Sequence, residues 1–195
     1  KGLAACASIG QPQLMSFYTE HARKNGFIYS QVLLTRADFH DQIALDYLEQ
    51  TITSLFERGV VPILNENDVV SNRELNFGDN DGIASLVTVL LKANKFILLT
   101  DQDGLLDKDP NKHSDAKLIE TIEEFTSSMV DEDAKLSSFG SGGAGAKVVA
   151  VDLATYANPG LEAFIANSNL ADRVIDILEG KINSTRIKVK KTKTL

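Results

Sequence analysis

With 195 residues, 43% of them apolar, the chain is long enough for one domain with a sizeable core, and it has no run of eighteen apolar residues that would span a membrane as a helix. A single cysteine, Cys6, excludes an internal disulfide framework and fits a reducing cytoplasm, while three scattered histidines (His21, His40, His113) give no metal-ligand spacing. The net charge of −7 is uneven: residues 181–195 hold six Lys or Arg and no acid, leaving 14 basic against 27 acidic residues elsewhere, which argues against a nucleic-acid-binding core.

The chain opens on "KGLAACASIG", a small-residue, helix-compatible run that starts without Met and without a preceding strand. It is expected to begin inside a domain. "QPQLMSFYTEHARKNG" reads as a helix with Pro12 in its first turn and Gly26 at its end. "YSQVLLT" (29–35) reads as a strand. "DFHDQIALDYLEQTITSLFERG" places Ile43, Tyr47, Ile52, Leu55 and Phe56 at helical spacing and stops at Gly59. "VVPIL" (60–64) is the next strand, "GIASLVTVLLKAN" a helix and "KFILLT" (95–100) a strand. "AKVVAVDLATYAN" is a helix, "LEAFIA" a strand and "ADRVIDILEG" a closing helix. Strands alternating with helices point to βαβ units and a mostly parallel sheet, whose ligands lie beyond the carboxyl ends of its strands. Three loops are expected there: 65–81, 100–112 and 167–170.

The first of these, "NENDVVSNRELNFGDND", is dense in carboxylates and amides against a single arginine. Three uses are open to it: a solvated surface loop, a set of Mg²⁺ ligands, or a site for the ammonium and carboxylate groups of an amino acid. In the second, "TDQDGLLDKDPNK", the Asp-x-Asp-Gly run is similar to a calcium loop, but Gly104 stands fourth where an EF-hand needs glycine sixth. A plain Asp/Gly turn competes with a ligand role for Thr100 and Asp101 at the strand end. "GSGGAGAK" (140–147) opens a helix. Glycines there let backbone N–H groups converge on an anion at the positive end of a helix dipole, and Lys147 adds a full charge. It is not a Walker A loop, because Lys147 follows Ala146 and Val148 stands where Ser or Thr belongs. Its Gly-x-Gly-x-x-Gly pattern (140, 142, 145) follows "DAKLSSF", a poor strand. A flexible linker is the competing use.

These stretches, in order and spacing, resemble the amino acid kinase family, and the paired NEND and FGDND motifs resemble its glutamate 5-kinase branch. "IGQPQLM", "QVLLTRADF" and "LLTDQDGLLDKDP" match too, so the resemblance covers about residues 3–182. It implies a three-layer α/β/α sandwich with a mostly parallel open sheet over residues 1–182, followed by a basic tail or linker at 183–195. It implies ATP-dependent phosphorylation of the side-chain carboxylate of L-glutamate, the step that opens proline biosynthesis, with Mg²⁺ bound with ATP. Carried onto this chain, Asp68 and Asn80 bind glutamate, and Asp81 orients the catalytic lysines. Thr100 and Asp101 contact ATP. Ser141, Gly142, Gly143, Ala144, Gly145, Ala146 and Lys147 hold its phosphates, Lys147 neutralising the group in transfer. The family's first glycine-rich loop, with its own lysine, is expected upstream of Lys1. Proline as a feedback inhibitor, a homo-oligomer and a cytoplasmic location are implied as well. The competing functions are another amino acid kinase, a glutamate- or proline-sensing module without catalysis, and an RNA-associated protein acting through its tail.

Overall fold

The computed structural model describes residues 2–71, 79–108, 110, 112–123 and 144–188. By internal contacts the chain divides into two compact units, Lys1–Asn76 and Phe77–Leu195.

The first unit holds α1 (Gly2–Asn25), β1 (Ile28–Leu34), α2 (Gln42–Glu57) and β2 (Val60–Glu66). α1 is longer than its periodicity suggested. Pro12 lies inside it rather than in its first turn, at a position where proline lacks the N–H for the preceding turn and ordinarily kinks a helix. Gly26 ends the helix as expected, with φ +71, and the Phe27 N–H donates to the Ala22 carbonyl at 3.1 Å in a Schellman closure. A short 3₁₀ turn (Arg36–His40) precedes α2, whose N-cap Asp41 accepts from the Ile43 and Ala44 amides. β1 and β2 pair in parallel from Ile28↔Val60 to Leu34↔Glu66, so their carboxyl ends coincide. The buried apolar side chains here are few, chiefly Met15, Ala22, Leu34, Leu48 and Ile52. The Tyr29 hydroxyl ties β1 to α1 by donating to the Met15 carbonyl at 2.8 Å.

The second unit holds α3 (Asp79–Leu90), β3 (Lys95–Thr100), β4 (Thr121–Ile122), α4 (Ala144–Ala157), β5 (Glu162–Asn167), α5 (Val174–Leu178) and β6 (Thr185–Ile187). The strand order is β3-β5-β6-β4, with β5 antiparallel to β6 and the other pairs parallel. β5 is central, and Ala163, Phe164, Ile165 and Ala166 are all buried. Both its faces are therefore covered, which is why it reads as a continuous apolar run rather than an alternating one. One core packs β3 and β5 against α4 through Phe96, Leu98, Val148, Val151, Ala154 and Ile165.

Among the described residues two short strands, β4 and β6, are not foreshadowed by the sequence pattern. Thr185–Ile187, assigned there to the tail, form β6 and join the sheet, and Ile187 is fully buried. The predicted closing helix is instead a 3₁₀ turn (Ser168–Arg173) followed by the short α5.

Candidate active site

In the first unit, β2 runs two residues past its apolar stretch and carries Asn65 and Glu66 into the sheet. The Asn67 N–H then donates to the Leu34 carbonyl at 2.7 Å, and the Asn67 carbonyl accepts from Val70 and Ser71. This tight turn presents Asp68 directly beyond the carboxyl ends of the two parallel strands. A cavity of about 350 Å³ opens there, between α1 (Ser8, Gln11, Met15), Gln31 of β1, and Glu66 and Asp68. That volume is at the lower end for small-molecule pockets. Among the described residues the lining includes two carboxylates, Glu66 and Asp68, and no Lys or Arg. Gln11 is fixed by the Asn65 amide, which donates to its Oε1 at 2.9 Å. Asn72 to Gly78, the middle of the carboxylate loop, lie outside the described residues.

In the second unit, Asn80 and Asp81 stand in the first turn of α3 and Lys147 in the first turn of α4. The Lys147 Nζ donates to Asp81 Oδ2 at 2.8 Å, and the two side chains are only 14% and 18% exposed. A lysine at a helix N-terminus opposes the dipole, by roughly 0.3–1 kcal/mol. Asp81 offsets that opposition and holds the ammonium at the first turn of α4. A Cβ added at Gly145 would meet no described residue beyond its own helix within 4 Å. Ser141, Gly142 and Gly143 lie outside the described residues; Ala144, Gly145 and Ala146 form the start of α4.

Thr100 and Asp101 sit at the carboxyl end of β3, with the Thr100 hydroxyl 3.1 Å from Asp101 Oδ1. Thr100 is registered against Asn167, the last residue of β5. The Asn167 amide donates to Asp103 at 3.0 Å, and its Oδ1 accepts from the Asn169 N–H. Gly104 is more than a turn residue. Its φ is +155, and a Cβ would come within 2.7 Å of both Leu118 and the Thr185 hydroxyl. Thr185, fully buried, accepts from the Leu105 N–H at 2.8 Å. The loop after β3 is thus pinned at Asn167 and at Thr185, two residues the sequence reading did not weigh as anchors. The signal for Asn167 was its place at the end of an apolar run. For Thr185 it was the alternation in "STRIKV", overlooked within a basic stretch.

The structure therefore brings Asp81 and Lys147 into contact, sets Thr100 and Asp101 beside the end of β5, and lines a cavity of the first unit with Asp68. A model of the amino acid kinase family matches residues 3–167. The chain belongs to the amino acid kinase family. Among its relatives, the glutamate 5-kinase of Bacillus cereus (strain B4264) is 39% identical over 191 residues, covering 96% of this chain and 51% of that protein. The glutamate 5-kinase of Pasteurella multocida (strain Pm70) is 36% identical over 184 residues, 94% of this chain and 50% of its own length. The chain thus spans about half the length of the curated relatives it matches. Among solved structures, the isopentenyl phosphate kinase of T. acidophilum in its product complex has a TM-score of 0.63 at 20% identity, covering 91% of this chain and 67% of that one. The UMP kinase from Ureaplasma parvum has a TM-score of 0.53 at 16% identity, covering 85% and 62%. Likeness at such identities establishes the fold: this amino acid kinase chain has the α/β architecture of that family, with parallel pairs in both of its sheets.

Proposed function

We propose that the protein transfers the γ-phosphoryl group of MgATP to the side-chain carboxylate of L-glutamate, giving glutamyl 5-phosphate and ADP. The observation that carries this reading is Lys147, held by Asp81 at the glycine-rich start of α4. The names of the relatives supply the substrate.

A glutamate side chain has an ordinary pKa of about 4.3, so it reaches the site already anionic and needs no general base. One of its oxygens bonds to Pγ as the bond from Pγ to the bridging oxygen of ADP breaks. The obstacle is bringing an anion to a polyanion, and phosphoryl transfer is governed by positioning and charge neutralisation. In this reading Lys147 neutralises the group in transfer, Asp81 aims it, and the N–H groups of 141–147 hold the phosphates. Thr100 and Asp101 contact the nucleotide. Mg²⁺ enters as part of the nucleotide substrate, and no protein ligand is assigned to it. Asp68 and Asn80 hold glutamate, the carboxylates of the Asp68 cavity facing its ammonium end. The same reading makes this the entry step of proline biosynthesis in a cytoplasmic homo-oligomer inhibited by proline.

The test is ADP release by the intact protein with a panel of amino acids, and trapping of the acyl phosphate by hydroxylamine. Glutamate-dependent release with hydroxamate formation is expected. Preference for another amino acid, or no amino-acid-dependent release, would overturn the assignment.

A further inference from the structure

Three buried hydroxyls lie on α3 and α4: Ser85, Thr88 and Thr155. Thr88 and Thr155 bond to carbonyls of their own helix, at Ala84 and Val151, as hydroxyls inside helices usually do. Ser85 does not. Its Oγ donates across to the Ala150 carbonyl of α4 at 2.6 Å, and the residue is fully buried.

The position of this bond gives it meaning. Ser85 follows Asp81 by four residues on α3, and Ala150 follows Lys147 by three on α4, so each pair shares one helix face. The two helices are therefore linked twice on their facing sides. The Lys147–Asp81 ion pair lies at their N-terminal ends, and the Ser85–Ala150 hydrogen bond about one turn further in. Apolar side chains of both helices, Ala84 of α3 and Val148, Val151 and Ala154 of α4, also meet in one core cluster. Apolar contact is non-directional and resists sliding weakly. A hydroxyl bound to one particular carbonyl does resist it. Slipping α4 by one residue is a shift of about 1.5 Å along its axis, which would stretch the 2.8 Å Lys147–Asp81 contact unless the lysine side chain re-oriented.

We propose that Ser85 is a positioning residue for phosphoryl transfer: its hydrogen bond to the Ala150 carbonyl sets the register of α3 against α4 and thereby places Lys147. The proposal rests on the role given to Lys147 above.

The test is made in the intact protein with Ser85→Ala, Ser85→Cys and Lys147→Ala, alone and combined. Ser85→Ala is expected to lower kcat about 5- to 20-fold with glutamate KM changed less than two-fold. Ser85→Cys restores the volume but not the strong donor, so it should be impaired alike; full recovery by cysteine would show a packing role and overturn the proposal. Ser85→Ala should add no further loss to Lys147→Ala, because both act through one ammonium. Independent effects that multiply would overturn it too. A readout besides activity is the acetylation rate of Lys147, followed by mass spectrometry against the exposed Lys24 and Lys181. It should rise several-fold in Ser85→Ala as the pair with Asp81 loosens. Wild-type kcat in Lys147→Ala would sink the assigned role of Lys147, whereas wild-type kcat and labelling in Ser85→Ala, with Lys147→Ala impaired, would sink the register role alone.

Discussion

Replacing Lys147 by alanine separates a catalytic lysine from a structural one, because the two roles predict different magnitudes. The ion pair with Asp81 is 2.8 Å long and mostly shielded, at 14% and 18% side-chain exposure. Exposed pairs are worth about 0–1 kcal/mol, and breaking fully buried ones costs about 3–5 kcal/mol. This pair lies between, and two effects reduce the loss: alanine removes a cation that opposes the α4 dipole, and Asp81 keeps a favourable place in the first turn of α3. The expected net cost is about 1–2 kcal/mol, a fall in Tm of roughly 2–8 °C for a protein of this size. Loss of a donor that acts in the transition state costs more, about 10²–10³ in kcat or roughly 2.7–4 kcal/mol. Steady-state ADP release at saturating glutamate and ATP, with thermal unfolding of the same samples, distinguishes the two. We expect kcat to fall by that factor while glutamate KM changes little, since the proposed function assigns glutamate to residues other than Lys147. Arginine should not rescue fully, because its planar fork differs from a compact ammonium. A folded Lys147→Ala protein with near-wild-type kcat would refute the assignment and move the phosphate site elsewhere.

Asp68→Ala should raise glutamate KM about 10- to 150-fold, the equivalent of losing one charge-assisted contact of roughly 1.5–3 kcal/mol, and leave ATP KM nearly unchanged; equal weakening of both ligands would point to a structural loop. Gly104→Ala forces a Cβ within 2.7 Å of the Thr185 hydroxyl and 2.9 Å of its backbone nitrogen at φ +155. It should cost about 2–4 kcal/mol in urea unfolding, and an unchanged midpoint would contradict the close approach described here. Arg186, then Lys95, hold the Glu162 carboxyl at about 2, well below its ordinary 4.5. Because the folded-state value is depressed, this stabilisation is full above pH 4.5 and disappears as pH falls towards 2. The group is 30% exposed, so screening limits the contribution to about 1 kcal/mol. Glu162→Gln should therefore destabilise the protein at neutral pH and converge with wild type near pH 2 in acid titrations of stability; a constant difference across that range would rule the ion pairs out as its source.

Element type was legible in the residues because it is set by near neighbours. The apolar runs "KFILLT" and "LEAFIA" became β3 and β5 within a residue of their expected ends, and Gly26 closed α1 by the local geometry that only a residue tolerant of positive φ supplies. The family was legible as well, since NEND, FGDND and GSGGAGAK are short contiguous strings. Long-range placement was not. Lys147 and Asp81 are 66 residues apart, Ser85 and Ala150 are 65, and Leu105 and Thr185 are 80. Nothing in a periodic pattern states which buried hydroxyl crosses to a neighbouring helix and which turns back on its own. Pro12 gave the same lesson: proline suits a first turn, but where a helix begins also depends on what packs against it, and α1 begins ten residues earlier. β6 is only three residues long, too short for its alternation to stand out from a basic stretch, and it exists because β5 and β4 offer it backbone partners. Sequence determined most of the helices, the longer strands and the family of this chain. Tertiary structure decided which lysine meets which carboxylate, because that contact depends on the packing of whole elements far apart in the chain.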